Sequence, residues 1–202
     1  MTVQDGAAPV TAADRLAAFA AALDACHERA VPGGVVVSRT GWAVASVRRL
    51  GDGDPVPDGS GTLAARHGPR ASDEEALGAF REALLELHRR TLRDVLDAAV
   101  SRLDRRESEG APLLGRQLVR GAVADVALAL AQARDVLRLP RPTADRHHRV
   151  HRELVAAGRT ALKLYGAFGF TAEGPGALLH LTELLGDTYL CPEDPEAEAG
   201  HE

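Results

Sequence analysis

His147, His148 and His151, with Asp145, form the densest set of metal-ligating side chains in the chain. Residues 147 and 151 are four apart and share one face of a helix, a spacing that suits two imidazoles on one zinc ion. Arg146, Arg149 and Arg152 are interleaved with them, and their charge opposes a cation, so no metal site is expected. His180 stands apart on a later apolar segment. A packed or surface role is the ordinary one for such a histidine, and it is kept beside a catalytic one. Lys163 is the single lysine among 24 basic residues, and a lone helical lysine is ordinarily solvated. Ser38, Ser60 and Ser101 lie in no nucleophile motif, and two cysteines, Cys26 and Cys191, are too few for a disulfide framework.

The elements that position these groups are mostly helices. Thr11 and Asp14 have the spacing of a capping box, and Leu16, Phe19, Ala20, Leu23 and Cys26 recur at three and four, which predicts a helix over about 12–29. Pro32-Gly33-Gly34 ends it. The β-branched runs 35–38 and 42–47 around Arg39-Thr40-Gly41 read as a hairpin. Gly51 to Arg70, rich in Gly, Pro and Asp, reads as a linker. Ser72-Asp73-Glu74-Glu75 reads as a second capping box, opening a helix to about Arg106 whose stripe is Leu77, Phe80, Leu84, Leu87, Val95, Ala99 and Leu103. Leu113, Leu114, Leu118, Ala122, Val126, Leu130, Ala133 and Leu137 describe the next helix, which Pro140 and Pro142 stop. A third spans about 144–166, and a fourth starts at Pro175, a residue suited to a first helical turn. The fold class expected is mainly α: a four-helix up-down bundle over 72–190, preceded by an annex of helix and hairpin over 1–50 and a linker over 51–71. The acidic tail, 191–202, reads as disordered.

Composition narrows the function classes. With 24 basic and 29 acidic residues the net charge is −5, without the basic footprint of a nucleic-acid binder. The apolar runs are short and broken by Arg or Asp, so no membrane span is expected. Residues 1–10 lack a charged start followed by an apolar run, and a cytoplasmic location is expected. One core, or a core with a small annex, suits 202 residues.

Two segments carry a family resemblance. Arg106, Gly110, Pro112 and Gln117, followed by Ala124-Asp125 and Arg134, resemble the R-x-x-F-G-x-P-L-x-x-x-Q turn and A-D-M helix of acyl-CoA dehydrogenases, with Glu109 where the family has an aromatic. Ala161-Leu-Lys-Leu-Tyr-Gly-Ala-Phe-Gly-Phe-Thr171, with Glu173 and Pro175, resembles A-L-Q-L-H-G-G-Y-G-Y-T and E-Y-P. The resemblance covers roughly residues 72–190, the C-terminal helical domain of that family, without its N-terminal and β domains. It implies the bundle topology, and it implies flavin contacts at Arg106, Gln117, Lys163 and Gly166, Arg106 and Gln117 being suited to a pyrophosphate and an amide edge.

The family's catalytic Glu, in Y-E-G-T, falls on Leu190, just after Tyr189. Glu193, His180 and Tyr189 are therefore the remaining candidate catalytic groups. Glu82 and Glu86 occupy the helix from which some relatives supply the base. The resemblance implies a half-length subunit that binds FAD only with an acyl-CoA dehydrogenase-like partner chain and acts on an acyl thioester or polyketide-like intermediate. Alternatives are a flavin-independent bundle in secondary metabolism and a non-catalytic interaction subunit. A dimer or larger assembly is expected, because the Leu77–Leu103 stripe looks too broad for one neighbouring helix.

Overall fold

The computed structural model describes residues 11–57, 61–68, 70–140 and 143–191. Helices dominate it: α1 (Ala12–Ala30), the short α2 (Val47–Leu50), α3 (Glu74–Asp104), α4 (Gln117–Leu137), α5 (Ala144–Tyr165) and α6 (Gly176–Leu190). The strands are β1 (Trp42–Ser46), β2 (Asp54–Pro55), β3 (Leu63–His67) and the pair β4 (Glu107–Ser108) and β5 (Ala111–Pro112).

The α1 capping box is complete: Thr11 Oγ1 accepts from the Asp14 amide at 3.1 Å, and the Asp14 carboxylate accepts from the Thr11 amide at 3.0 Å. α3 is the central element, packed against α1, α4, α5 and α6. All seven residues of its sequence stripe are buried within the chain. The reason for expecting a dimer from that stripe therefore fails, because four helices rather than one cover it. Phe80, Leu84, Leu130, Leu181 and Leu185 belong to one core that also takes in Leu16 and Leu23 of α1 and Val44 and Leu63 of the sheet. The N-terminal helix and the sheet thus share the hydrophobic core of the later helices.

Three local expectations are corrected. Residues 35–38 form no strand and meet the strand at 42–46 through a backbone hydrogen bond from Ser38 N to Trp42 O at 2.8 Å; that strand pairs antiparallel with β3, Trp42 opposite His67 and Ser46 opposite Leu63, and β2 pairs with the other edge of β3. The segment read as linker therefore contributes two strands. Its alternation explains why: Leu63 and Val44 enter the main core, while Ala64, Ala43 and Ala45 face a small second cluster around Leu50. Secondly, the α3 N-cap is Asp73, whose carboxylate accepts from the Ala76 amide at 2.8 Å, while Ser72 Oγ accepts instead from the Val37 amide at 3.0 Å. Thirdly, Leu113–Gly115 forms a 3-10 turn ahead of α4, and Leu118 is 89 % exposed instead of inward. α4 buries only Val126, Leu130 and Ala133.

Among the described residues no helix is long and apolar enough to cross a membrane. Cys26 is buried and Cys191 is exposed, and no disulfide joins them. Glu193 and the acidic tail, like Pro142, lie outside the described residues.

Candidate functional site

Antiparallel packing brings the two family-like segments to one end of the molecule, where α3 and α5 finish and α4 begins. Between α3 and α4 the chain turns through the two-residue hairpin β4–β5, with Glu109 at φ 56° and Gly110 at φ 77°. Two consecutive positive φ angles are what a type I′ turn requires. Glu109, standing where the family has an aromatic, holds Arg116 at 2.5 Å, and Arg116 also donates to Ser108 O. Arg106 and Gln117 flank this hairpin, and both are exposed. Gly166, at φ 57°, closes α5 by donating its amide to Lys163 O. Lys163 and Gly166 are exposed as well.

The candidate catalytic groups are scattered. Tyr189 is 2 % exposed, and its hydroxyl accepts from Val44 N at 2.9 Å and donates to Val36 O at 3.2 Å. Burial pushes its pKa far up, so both the geometry and the acidity fit an anchor rather than a proton shuttle. His180 is exposed on α6 at the mouth of a cavity. Glu82 is exposed. Glu86 lies between two guanidinium groups: hydrogen bonds from Arg89, then Arg90, hold its carboxyl down to about 2. A carboxylate so stabilised is a poor base near neutrality. Among the described residues no three His, Cys, Asp or Glu side chains are placed to hold a metal ion. His147 and His151 do share a buried face, but they point into protein.

Two of the cavities among the described residues lie between the helices. One, about 530 Å³, is walled by α1, α3 and the chain before α6, with Phe19, Leu87 and Leu178 on its apolar side and Arg15, Arg102 and Arg105 among its polar groups. Arg102 sits 4.1 Å over the Phe168 ring, a cation–π contact. Asp94 and Glu173 also border this space, and Glu173 O accepts from Arg15 at 2.7 Å. The other cavity, about 540 Å³, opens between α5 and α6 over a floor from α3, with Leu92, Leu154 and Leu179 on its walls and His88 at its base.

Three working side chains escape a motif-based reading. His27 is buried, accepts from Val36 N on Nδ1 at 3.0 Å, and places Nε2 at 2.9 Å from Val44 O. With Nδ1 accepting, the proton sits on Nε2 and the ring is neutral. Arg81, 5 % exposed, donates from Nε to Tyr189 O at 2.8 Å, close to the C-terminal end of α6. His88 is 2 % exposed and has no hydrogen-bond partner on either ring nitrogen. The available signal was periodicity: His27 continues the Ala20–Leu23 stripe, and His88 falls four residues after Leu84 and four before Leu92, so both lie on apolar faces.

Arg106, Gln117, Lys163 and Gly166 line neither cavity. Each is exposed. No family model matches the chain, and no curated protein matches it. In fold it is similar to the crystal structure of a "probable acyl CoA dehydrogenase from Mycobacterium abscessus ATCC 19977 / DSM 44196", with a TM-score of 0.46 and 22 % identity over 63 % of this chain. The match spans 37 % of that protein's length.

Proposed function

We propose that this chain is an acyl-CoA dehydrogenase-like helical subunit whose flavin contacts are completed by a second, dehydrogenase-like chain. The observation that carries the reading is the exposure of Arg106, Gln117, Lys163 and Gly166 together at one end of the helices. Charged and polar groups exposed there suit a cofactor enclosed from the other side. An FAD in such a complex would bring the hydride acceptor. This chain's part is to hold the pyrophosphate through Arg106 and an amide edge through Gln117.

The substrate class in this reading is an acyl or polyketide-like thioester. The cavity between α1 and α3 supports it, because its apolar side accommodates a chain while Arg15, Arg102 and Arg105 can meet the phosphates of a thioester carrier. The base comes from the partner, since Leu190 replaces the family's Glu and Glu86 is held ionised between arginines.

A second reading, a flavin-independent bundle in secondary-metabolite biosynthesis, is favoured by one observation: this chain walls both cavities by itself. Co-expression with a dehydrogenase-like neighbour, followed by flavin absorbance of the purified complex and of the chain alone, separates the two. The expected result is a yellow complex and a colourless chain. A chain that purifies alone with about one flavin, or a partner that never co-purifies, removes the first reading.

A further inference from the structure

The cavity between α5 and α6 takes in Leu162, Gly169, Phe170 and Thr171 of the second family-like segment, but none of Arg106, Gln117, Lys163 and Gly166. Its walls are mainly apolar, and the groups that could discriminate a ligand are few. At the mouth Arg159 is committed to Glu183 in an ion pair, and Thr182 satisfies its hydroxyl on Leu179 O at 2.8 Å. His88 differs. It is the deep polar group of the wall, 2 % exposed, and neither ring nitrogen has a partner. An unsatisfied buried polar group costs about 1–3 kcal/mol, and such groups in native structures call for an explanation.

The neighbouring polar side chains do not supply one. His151 is closest, its ring centroid 5.5 Å from that of His88. His151 Nε2 is directed to Asp187 at 3.6 Å, and its Nδ1 is itself unpartnered. Gly186 keeps the space above the His151 ring clear, since a Cβ there would overlap it. The fold thus places the His88 ring in the cavity wall, beside the His151 ring, and leaves both His88 nitrogens chemically open.

We infer that the α5–α6 cavity binds a small, mainly aliphatic molecule carrying one uncharged hydroxyl or carbonyl group, which hydrogen-bonds to His88. The walls set the aliphatic part, and about 540 Å³ is within the range of small-molecule sites. The uncharged head follows from the electrostatics. Arg159 and Glu183 line the mouth and are paired with each other, so a carboxylate or an ammonium placed deep against His88 loses its hydration without a counter-charge. A neutral imidazole offers one N–H and one lone pair, so a hydroxyl can use either and a carbonyl the N–H.

The test compares 1-hexanol with 1-chloropentane, a probe of similar volume lacking the hydroxyl. Each is titrated into the full-length chain labelled with 15N at histidine rings. 1-Hexanol should move the ring nitrogens of a single non-titrating histidine and bind about tenfold more tightly than 1-chloropentane, the size of one net hydrogen bond. In His88→Leu that preference should vanish while 1-chloropentane still binds; in His88→Gln, which keeps a donor and an acceptor, part of it should remain. If neither probe binds, if both bind wild type equally, or if the preference survives in His88→Leu, the inference is wrong. Should both variants fail to fold, the wild-type ring signals decide, and unchanged nitrogens at saturating 1-hexanol overturn it. The readout needs no partner chain and no flavin, so it stands or falls separately from the function proposed above.

Discussion

His27 and Tyr189, from opposite ends of the sequence, together satisfy every backbone hydrogen-bonding group of Val36 and Val44. The imidazole takes Val36 N–H and gives to Val44 C=O; the phenol takes Val44 N–H and gives to Val36 C=O. Residues 36 and 44 are where a hairpin ladder would run, so two side chains replace the ladder. Phe80 packs on both rings, with centroids at 4.5 and 4.6 Å. This arrangement joins α1, the sheet and α6 on α3.

Tyr189→Phe is expected to act on stability. It orphans one buried N–H and one buried C=O at about 1–3 kcal/mol each, so urea unfolding should show a loss of roughly 2–6 kcal/mol. If Tyr189 were a proton shuttle whose hydroxyl the fold does not need, Tyr189→Phe would leave the unfolding midpoint unchanged.

Acid should destabilise the protein early. Burial, the largest cause in each case, lowers His27 to about 4 and His88 to about 3, and lowers His147 and His151 in the same direction. The unfolded chain titrates its histidines near 6.5, so between that pH and the folded values it binds more protons than the native state. Stability is then complete above about 6.5 and falls as the pH drops, by about 1.4 kcal/mol per unit for each fully buried ring. Urea melts at pH 7.5, 6 and 5 measure the slope, and His27→Gln should reduce it. A curve flat from 7 to 5 would contradict the buried neutral rings.

Gly186 offers a sign reversal. Glycine inside a helix is usually improved by alanine, by about 0.5–1 kcal/mol. Here the added methyl would occupy the space of the His151 ring, and overpacking of this kind costs about 1–3 kcal/mol. Gly186→Ala should therefore lower Tm, and adding His151→Ala should recover much of the loss. A neutral or stabilising Gly186→Ala would show that the ring moves aside freely.

How much of this was legible depended on whether a residue's partners lie near it in sequence. The α3 stripe and the Thr11–Asp14 box depend on neighbours three to seven residues away, and both are found as read. β1 was recognised as a strand, but its partner β3 lies beyond a Gly/Pro/Asp-rich stretch whose alternation is only five residues long. The roles of His27 and Tyr189 rest on backbone groups 9 to 153 residues distant, which no local pattern encodes. Leu118 continues an apolar stripe that begins at Leu113 in the sequence, yet the 3-10 turn at 113–115 resets the helical phase and turns Leu118 to solvent. The family-like turn was legible as a motif, while its exposure became visible only in three dimensions.

That exposure leads to the last expectation. Leu118, 89 % exposed, stands beside Gln117 at the start of α4, and Leu128 is 57 % exposed further along the same helix. If a partner chain closes over this end, Leu118→Arg should block co-purification while leaving the isolated chain's unfolding free energy within about 0.5 kcal/mol of wild type, as for other surface changes. Arg106→Ala should do something different. An exposed charge at a helix end contributes about 0.3–1 kcal/mol, so folding and assembly should survive, and the complex should lose its flavin. The pair separates contact from cofactor: Leu118→Arg removes the complex, Arg106→Ala leaves a colourless one. Equal flavin occupancy in the wild-type and Arg106→Ala complexes would remove Arg106 from the cofactor site and leave the turn to packing, in which case Pro112 and Asp125 substitutions should destabilise the chain instead.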